Sequence, residues 1–362
     1  MLNIENINIV AGKFRVQNFS LRLQEGLCHV LVGTTGSGKT LLLETIAGLR
    51  RQESGIITFA DRNISHLEPE LRNVSYLPQD LCLFPNMLVR ENICYGLRMK
   101  GIGAAEAARR LQPLAVSLDI AHLLDRHVDH LSGGEKQRTA LARTLISDNP
   151  MVLLDEPFSS LNLGLKRKLW HLLKKMQREQ GWTLLLVTHD LEEALLLGDD
   201  LSLIANGMLV DSGPKNQVYC YPKTVSAACI LGTENFLPGE FVGRSDGLCN
   251  FHCPDFPANL SVSASYPTLA GDNLDKLRFK LGIKAADIKL CRPDSAGAGA
   301  VGCCSIEAIH EKGRTATLVL RSKTSNLTML AEVSLKELAG HVPGDEVGIS
   351  ISPEAIMALV EK

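Results

Sequence analysis

No uninterrupted apolar run in this 362-residue sequence reaches the roughly 18 residues that a membrane-spanning helix needs. The richest stretch, residues 183–197, is interrupted by His189, Asp190, Glu192 and Glu193. A role at a membrane would therefore have to run through a partner. The opening residues, Met1-Leu-Asn-Ile-Glu-Asn, lack a basic segment followed by an apolar one, so no secretory leader is expected. An excess of charge is missing as well. Lys and Arg number 38, Asp and Glu 40, and the net charge is −2, so composition gives no pull toward nucleic acid or an anionic membrane. None of the ten cysteines forms a Cys-x-x-Cys pair, and without a leader the expectation is reduced thiols in the cytosol. Cys249-Asn-Phe-His-Cys253 offers three potential metal ligands but no second cluster at zinc-site spacing; loop or core cysteines are the simpler reading. No strong internal repeat is visible.

What is present is enough chain for two or three domains. The hydrophobic fraction of 45% suits a globular protein with a full-sized core. The first ~230 residues read as alternating strands and helices. Residues 27–33 form an apolar strand ending in glycine, and residues 40–49 carry the helical repeat. Phe19-Ser-Leu-Arg-Leu-Gln alternates as a half-buried antiparallel strand would, and residues 55–59 are a further strand. Residues 87–147 are mostly helical by pattern, with breaks near Gly101–Gly103 and Pro113. Buried strands follow at 151–154, 184–187 and 201–205, and a basic amphipathic helix at 165–180 places Trp170 on its apolar side. Buried runs alternating with helices argue a parallel α/β sheet covered on both faces. After Gly232 prolines and glycines become frequent, and short alternating stretches such as 315–321 and 346–352 suggest a small all-β, barrel-like domain. Residues 295–300, Ser-Ala-Gly-Ala-Gly-Ala, read as a small-residue linker within it. The expected division is 1–233 and 234–362, with a helical subdomain at about 87–147.

Three motifs carry chemistry. Gly33-Thr34-Thr35-Gly36-Ser37-Gly38-Lys39-Thr40 follows a strand and opens a helix, the context a phosphate loop requires. Gly36 and Gly38 let the backbone wrap phosphate oxygens, and the helix N-terminus favours the anion. Lys39 is placed to reach the outer phosphates and Thr40 to set its hydroxyl on Mg2+. Asp155 and Glu156 end an apolar strand, where a parallel sheet presents ligand-facing carboxylates. Asp155 is expected to hold Mg2+ through water and Glu156 to orient or deprotonate the attacking water. The third motif is Leu131-Ser132-Gly133-Gly134-Glu-Lys-Gln-Arg138, whose Ser-Gly-Gly at a helix start offers backbone donors and a dipole to an anion. Taken alone, a Ser-Gly-Gly is more often just a helix cap and turn.

Leu131-Ser-Gly-Gly-Glu-Lys-Gln-Arg-Thr-Ala-Leu-Ala-Arg143, followed by Asn149-Pro-Met-Val-Leu-Leu-Asp-Glu-Pro157, resembles the signature and Walker B region of ATP-binding cassette (ABC) ATPases. The resemblance covers the whole first domain. It implies an α/β P-loop NTPase with an ABC helical subdomain and an antiparallel β subdomain, using ATP and Mg2+. It assigns Gly33 to Thr40 to Walker A, and Gln79, in Tyr76-Leu-Pro-Gln79, to the Q-loop, touching Mg2+ or the attacking water. Ser132, Gly133 and Gly134 become the signature, which meets the γ-phosphate held by a second copy. Asp155 and Glu156 become Walker B and the catalytic glutamate, and His189 the switch histidine. The resemblance thus makes Glu156, His189 and Gln79 catalytic, and Thr40, Gln79 and Asp155 the metal ligands. Two positions depart from the family pattern. Asn162 stands where the family usually has Asp, and no aromatic residue lies near Val10-Ala-Gly12 to stack adenine, Phe14 being the nearest.

The resemblance extends to importer subunits. Residues 80–93 share their Leu-Phe-Pro and Val-Arg-Glu-Asn-Ile, where a permease's coupling helix docks. Residues 235–240, 281–288 and 348–356 resemble the transport-associated, oligonucleotide-binding-like β domain of sugar, sulfate, iron, molybdate and tungstate importers. A head-to-tail dimer around two ATPs is implied, peripheral on the cytoplasmic face of the membrane through permease subunits. An extracytoplasmic solute-binding protein would be an indirect partner, and nucleic acid is not expected. Molybdate or tungstate is the first expectation for cargo. It rests on the cassette, on residues 332–338 and on Pro343-Gly-Asp-Glu346. Sulfate, ferric iron, a sugar or a polyamine are the alternatives. Ser352 and Glu354 occupy the neighbourhood where related domains bind an oxyanion, and the acidic residue speaks against such sensing. A non-transport ABC ATPase acting on nucleic acid or ribosomes is the rival of another class; it would more often carry two cassettes or long charged insertions.

Overall fold

Alternating apolar and polar residues make the first two strands a hairpin with one wet and one dry face. β1 (Leu2–Ala11) and β2 (Phe14–Leu23) pair antiparallel, and Ile4, Ile7, Ile9, Phe19 and Leu23 are buried. The computed structural model describes residues 1–360 apart from 255, 257–258, 272–273, 292–299, 324 and 339. The stretch read as a linker at 295–300 falls outside the described residues up to 299.

β3 (Cys28–Gly33) is buried throughout and leads through the phosphate loop into α1 (Lys39–Ala47). β4 (Ser54–Phe59) and β5 (Arg62–Asn63) extend the hairpin into an antiparallel sheet ordered β2-β1-β4-β5. Next come β6 (Val74–Leu77) and three helices, α2 (Val89–Met99), α3 (Ala104–Ser117) and α4 (Gly133–Leu145). β7 (Met151–Asp155), α5 (Leu163–Gln180), β8 (Thr183–Thr188), α6 (Leu191–Leu197), β9 (Asp200–Ala205) and β10 (Met208–Pro214) complete this part. The second sheet is ordered β10-β9-β3-β8-β7-β6 and is parallel except where β10 pairs with β9. β7 and β8 are buried at every residue, as strands covered on both faces must be. One core joins the two sheets across α1, with Ile4, Phe19, Leu42, Ile46, Leu153 and Val187 in it.

The expected break at Pro113 does not occur: α3 runs through it. The proline lies on the exposed side of the helix, where the carbonyl it leaves unpaired can be hydrated.

The chain separates into two compact units, Met1–Lys215 and Asn216–Lys362. The sequence reading put the border later, at 233/234. The difference has a physical source: α8 (Val225–Ile230), which follows the short α7 (Lys215–Cys220), packs Ala228 into the core of the second unit. Composition marks where the β strands begin, whereas the core recruits the helix before them.

The second unit holds β11 (Asn235–Ser245), β12 (Leu248–His252), β13 (Leu260–Ser263), β14 (Phe279–Ile283) and β15 (Ile288–Cys291). β16 (Ala300–Lys312), β17 (Thr315–Ser322), β18 (Thr328–Ser334), α9 (Leu335–Leu338), β19 (Glu346–Ile351) and β20 (Ile356–Val360) follow. They form two five-stranded antiparallel sheets, β13-β12-β11-β14-β20 and β15-β19-β16-β17-β18. A single core holds Leu237, Phe251, Leu281, Leu318, Ile349 and Leu359. Cys249 and Cys253 are buried in this core, and no metal-ligating cluster of three or more His, Cys, Asp or Glu occurs among the described residues.

One buried cation locks the helix that follows the phosphate loop. Arg72 is 3% exposed. It donates from Nη1 to the carbonyls of Thr45 (2.8 Å) and Ile46 (3.0 Å), from Nε to Leu67 O (2.8 Å) and from Nη2 to Ser65 O (3.2 Å). It thereby binds carbonyls at the C-terminal end of α1, sharing that of Thr45 with the Gly48 N–H (3.2 Å). Arg72→Met should cost about 2–4 kcal/mol of stability, read as a lowered midpoint in urea with an unchanged slope; a midpoint shift under about 0.5 kcal/mol would remove Arg72 from this role.

Candidate active site

Gly36 and Gly38 adopt positive φ, 78° and 101°, which only glycine reaches without strain. A Cβ on Gly38 would also lie 3.0 Å from the Phe14 ring, so glycine is what lets that aromatic side chain approach the loop. Lys39 turns back over the loop, its Nζ donating to the carbonyls of Gly33 (2.8 Å) and Thr34 (3.0 Å). Burial lowers its pKa, and the negative charges of Glu156 and Asp155 counter the effect.

Beside the loop opens a cleft of about 550 Å3. Its wall contains Thr35, Gly36, Ser37, Gly38, Lys39 and Thr40 from the loop, together with Gln79, Asp155, Glu156 and His189. Residues far apart in the chain thus meet on one surface because β3, β7 and β8 are neighbours in one sheet and β6 lies next to β7. Asp155 closes β7 and is 1% exposed, and neither of its carboxylate oxygens has a hydrogen-bond partner. Burial pushes its pKa up to about 6; the Thr40 hydroxyl and Lys39 offset part of the effect and Glu156 adds to it. Glu156 has a positive φ of 50°, a costly conformation for a residue with a side chain. That backbone turns the carboxylate toward His189, whose Nδ1 lies 2.8 Å from Glu156 Oε1.

His189 is held through its neighbours in the chain. The Thr188 hydroxyl donates to Glu193 Oε2 (3.1 Å) and accepts from Asp190 N–H (3.0 Å). Lys166 Nζ, on α5, lies 3.3 Å from Asp190 Oδ2. Desolvation pushes the buried Glu193 carboxyl up to about 8. The sequence reading did not single out Lys166 or Glu193, since nothing in their spacing points to His189; only the fold brings them there. Phe14 and Ser159 also stand in the cleft wall. The aromatic side chain that sequence placed only as a nearest neighbour of Val10–Gly12 therefore faces the loop.

Ser132, Gly133 and Gly134 do not line the cleft. Ser132 caps α4 by accepting from Glu135 N–H (3.4 Å), while Glu135 Oε2 accepts from Ser132 N–H (2.7 Å) and Oγ–H (2.8 Å). Both Ser132 and Gly133 are exposed. Asn162 caps α5, its side chain accepting from Leu165 N–H at 3.0 Å. An asparagine oxygen does this as well as an aspartate would.

The donor set fits magnesium. A buried carboxylate without a protein partner, a threonine hydroxyl and a glutamine amide oxygen are hard oxygen ligands, few enough for the ion to keep several waters. Thr40, Gln79 and Asp155 are the residues that would hold it.

A phosphate loop after β3, a carboxylate pair at the end of β7 in the same sheet and a capped Ser-Gly-Gly helix away from the cleft define an ATP-binding cassette. Residues 16–159 match the family model described as ABC transporter. The chain is 42% identical over 244 residues to the molybdate/tungstate import ATP-binding protein WtpC of Pyrococcus horikoshii, covering 67% of this chain and 71% of that one. It is 29% identical over 346 residues to the spermidine/putrescine import ATP-binding protein PotA of Acetivibrio thermocellus, covering 93% and 90% of the two chains. A solved dimeric ATP-binding cassette with ADP and phosphate superposes with a TM-score of 0.54 at 24% identity, covering 59% of this chain and 98% of that one. The chain belongs to the ABC transporter ATPases: it binds ATP with Mg2+ and hydrolyses it to drive transport. No helix among the described residues is long and apolar enough to cross a membrane.

The Asp155 carboxyl yields a signed prediction. Its pKa is raised on folding, so the folded protein holds this proton more tightly than the unfolded chain. Without Mg2+ or nucleotide, its ionisation therefore costs stability as pH rises from about 4 through about 6. Asp155→Asn should stabilise the Mg2+-free protein at pH 8 by on the order of 1–3 kcal/mol, with the gain vanishing near pH 4, while Mg2+-dependent hydrolysis is lost. Melting curves at the two pH values test this; an Asn variant no more stable at pH 8 than the parent would contradict it.

Proposed function

We propose that this chain is the energising subunit of an importer, carrying molybdate or tungstate through a separate permease. The observation that carries the catalytic part is the Glu156–His189 contact at the mouth of a cleft walled by the phosphate loop and the orphaned Asp155. In this reading the loop N–H groups and Lys39 bind the outer phosphates, with Lys39 exchanging its carbonyl bonds for phosphate oxygens. Thr40, Gln79 and Asp155 would hold Mg2+, which would supply positive charge against the phosphates. Glu156 orients the attacking water and takes its proton, and His189 holds the Glu156 carboxylate in place. Phe14 supplies the flat apolar surface for the base. Ser132, Gly133 and Gly134, turned away from their own cleft, meet the nucleotide of a second copy in a head-to-tail dimer.

A second groove supports docking on a permease. About 530 Å3 in volume, it is lined by residues that include Tyr76, Asp80, Cys82, Phe84, Tyr95 and Arg143. Arg143 donates to the carbonyls of Cys82 (2.6 Å) and Leu81 (2.5 Å) and lies over the Phe84 ring. It thus holds Leu81 and Cys82 at positive φ, 62° and 43°. A permease segment seated there would place the complex on the cytoplasmic face of the membrane.

The similarity to molybdate/tungstate import proteins supports the cargo. One observation favours a second reading, a polyamine: the match to the polyamine import protein runs through the second unit as well. Uptake of labelled molybdate, tungstate and spermidine by cells with and without this chain separates the two. For the catalytic reading, Glu156→Gln should lower hydrolysis at least about 100-fold while ATP still binds, and should shift the protein to a dimer in MgATP. Unchanged turnover would overturn the assignment.

A further inference from the structure

The conformation of Glu156 has to be imposed from outside its side chain, because a positive φ at a non-glycine residue persists only where the surroundings over-determine it. Three contacts do so. Glu156 N–H donates to Val187 O on β8 (3.0 Å), Ser159 N–H donates to Glu156 O (3.3 Å), and Gln137 Nε2 donates to the same carbonyl at 3.1 Å. The first two come from the neighbouring strand and from Glu156's own turn. The third comes from α4, the helix that Ser132 caps. Gln137 is 2% exposed, so its amide is committed to this contact and is not sampling solvent.

We infer that Gln137 is a positioning residue for Glu156. By fixing the carbonyl of the strained residue, it sets the direction in which the carboxylate leaves the main chain. The argument rests on the reading of Glu156 given above. The geometry excludes two other roles: Gln137 does not line the cleft, so it touches neither phosphate nor base, and among the described residues no hydrogen bond joins its side chain to the His189 imidazole. Its effect on hydrolysis must therefore pass through Glu156. Gln137 also lies in the second turn of the helix that Ser132 caps and Gly133 opens, so the helix that presents the signature residues also supplies the contact to the Glu156 carbonyl.

Gln137→Met keeps the length and removes the donor. Freed from this tether, Glu156 should lose about ten- to hundredfold in kcat, the scale on which small misplacements of a catalytic group act. KM for ATP and the affinity for a fluorescent ATP analogue should stay within about twofold. Gln137→His, which retains an N–H donor, should recover part of the rate. In the Gln137→Met/Glu156→Gln double variant no further loss should appear beyond Glu156→Gln alone, because both changes act on one group. Equal falls in kcat and ATP affinity, or additive losses in the double variant, would make Gln137 merely structural and overturn the inference. Gln137→Ala is the second variant should Gln137→Met not fold, and failure of both to fold would overturn it too. An inactive Glu156→Gln beside a fully active Gln137→Met would sink this inference alone. An active Glu156→Gln would instead sink the catalytic reading beneath it.

Discussion

The constraint on which the site depends is the burial of Asp155. A carboxylate placed at the end of a fully buried strand, its burial offset only in part by the Thr40 hydroxyl and Lys39, is a standing electrostatic cost. Folding alone gives no reason for such a group there, since burial disfavours its charged form. A cation resolves the cost, and the phosphate loop sets its Thr40 hydroxyl beside that carboxylate. The neighbouring Lys39 is kept close by two backbone carbonyls, so the sheet edge carries one fixed positive and two negative groups before any ligand arrives. The rest of the first unit can be understood as the scaffold that keeps this arrangement in register: β3 and β7 flank β8, and the core between the two sheets packs against α1.

Much of this was legible in the chain. Gly36 and Gly38 are required by positive φ, Lys39 and Thr40 by phosphate and metal chemistry, and Asp155 by its position after an apolar run. Each of these is a local demand that a sequence states directly. The contacts formed across the fold were not legible. Gln137 reads as one more polar residue in a helix, and Phe14 only as the aromatic residue nearest Val10–Gly12, until the fold brings them against Glu156 and Gly38. β1 was missed for a related reason: its alternation is broken where Asn6 takes a positive φ and the register with β2 shifts. α3 survived Pro113 because exposure, which a sequence does not print, decides whether the lost hydrogen bond matters.

Asn162 illustrates how a departure from a family pattern can be quiet. The substituted residue keeps its cap on α5 through a side-chain oxygen, and α5 in turn carries Lys166 to Asp190 beside His189. The mechanical link from the turn after Glu156 to the histidine therefore needs the oxygen and not the charge. What the missing charge removes is any repulsion or attraction aimed outward, where Asn162 is exposed.

The sheet order of the second unit has a temporal consequence. β20 pairs with β14 and β19 separates β15 from β16, so both sheets are closed by strands made long after the partners they join. During synthesis, β15 stays unpaired and β14 lacks one neighbour until β19 and β20 have emerged, whereas all the strands of the first unit are already complete by residue 214. Contacts between distant residues form slowly and leave chains open to misassociation while they wait. The catalytic unit is thus ready to fold earlier on the ribosome, and the β unit after it is the part whose maturation calls for protection.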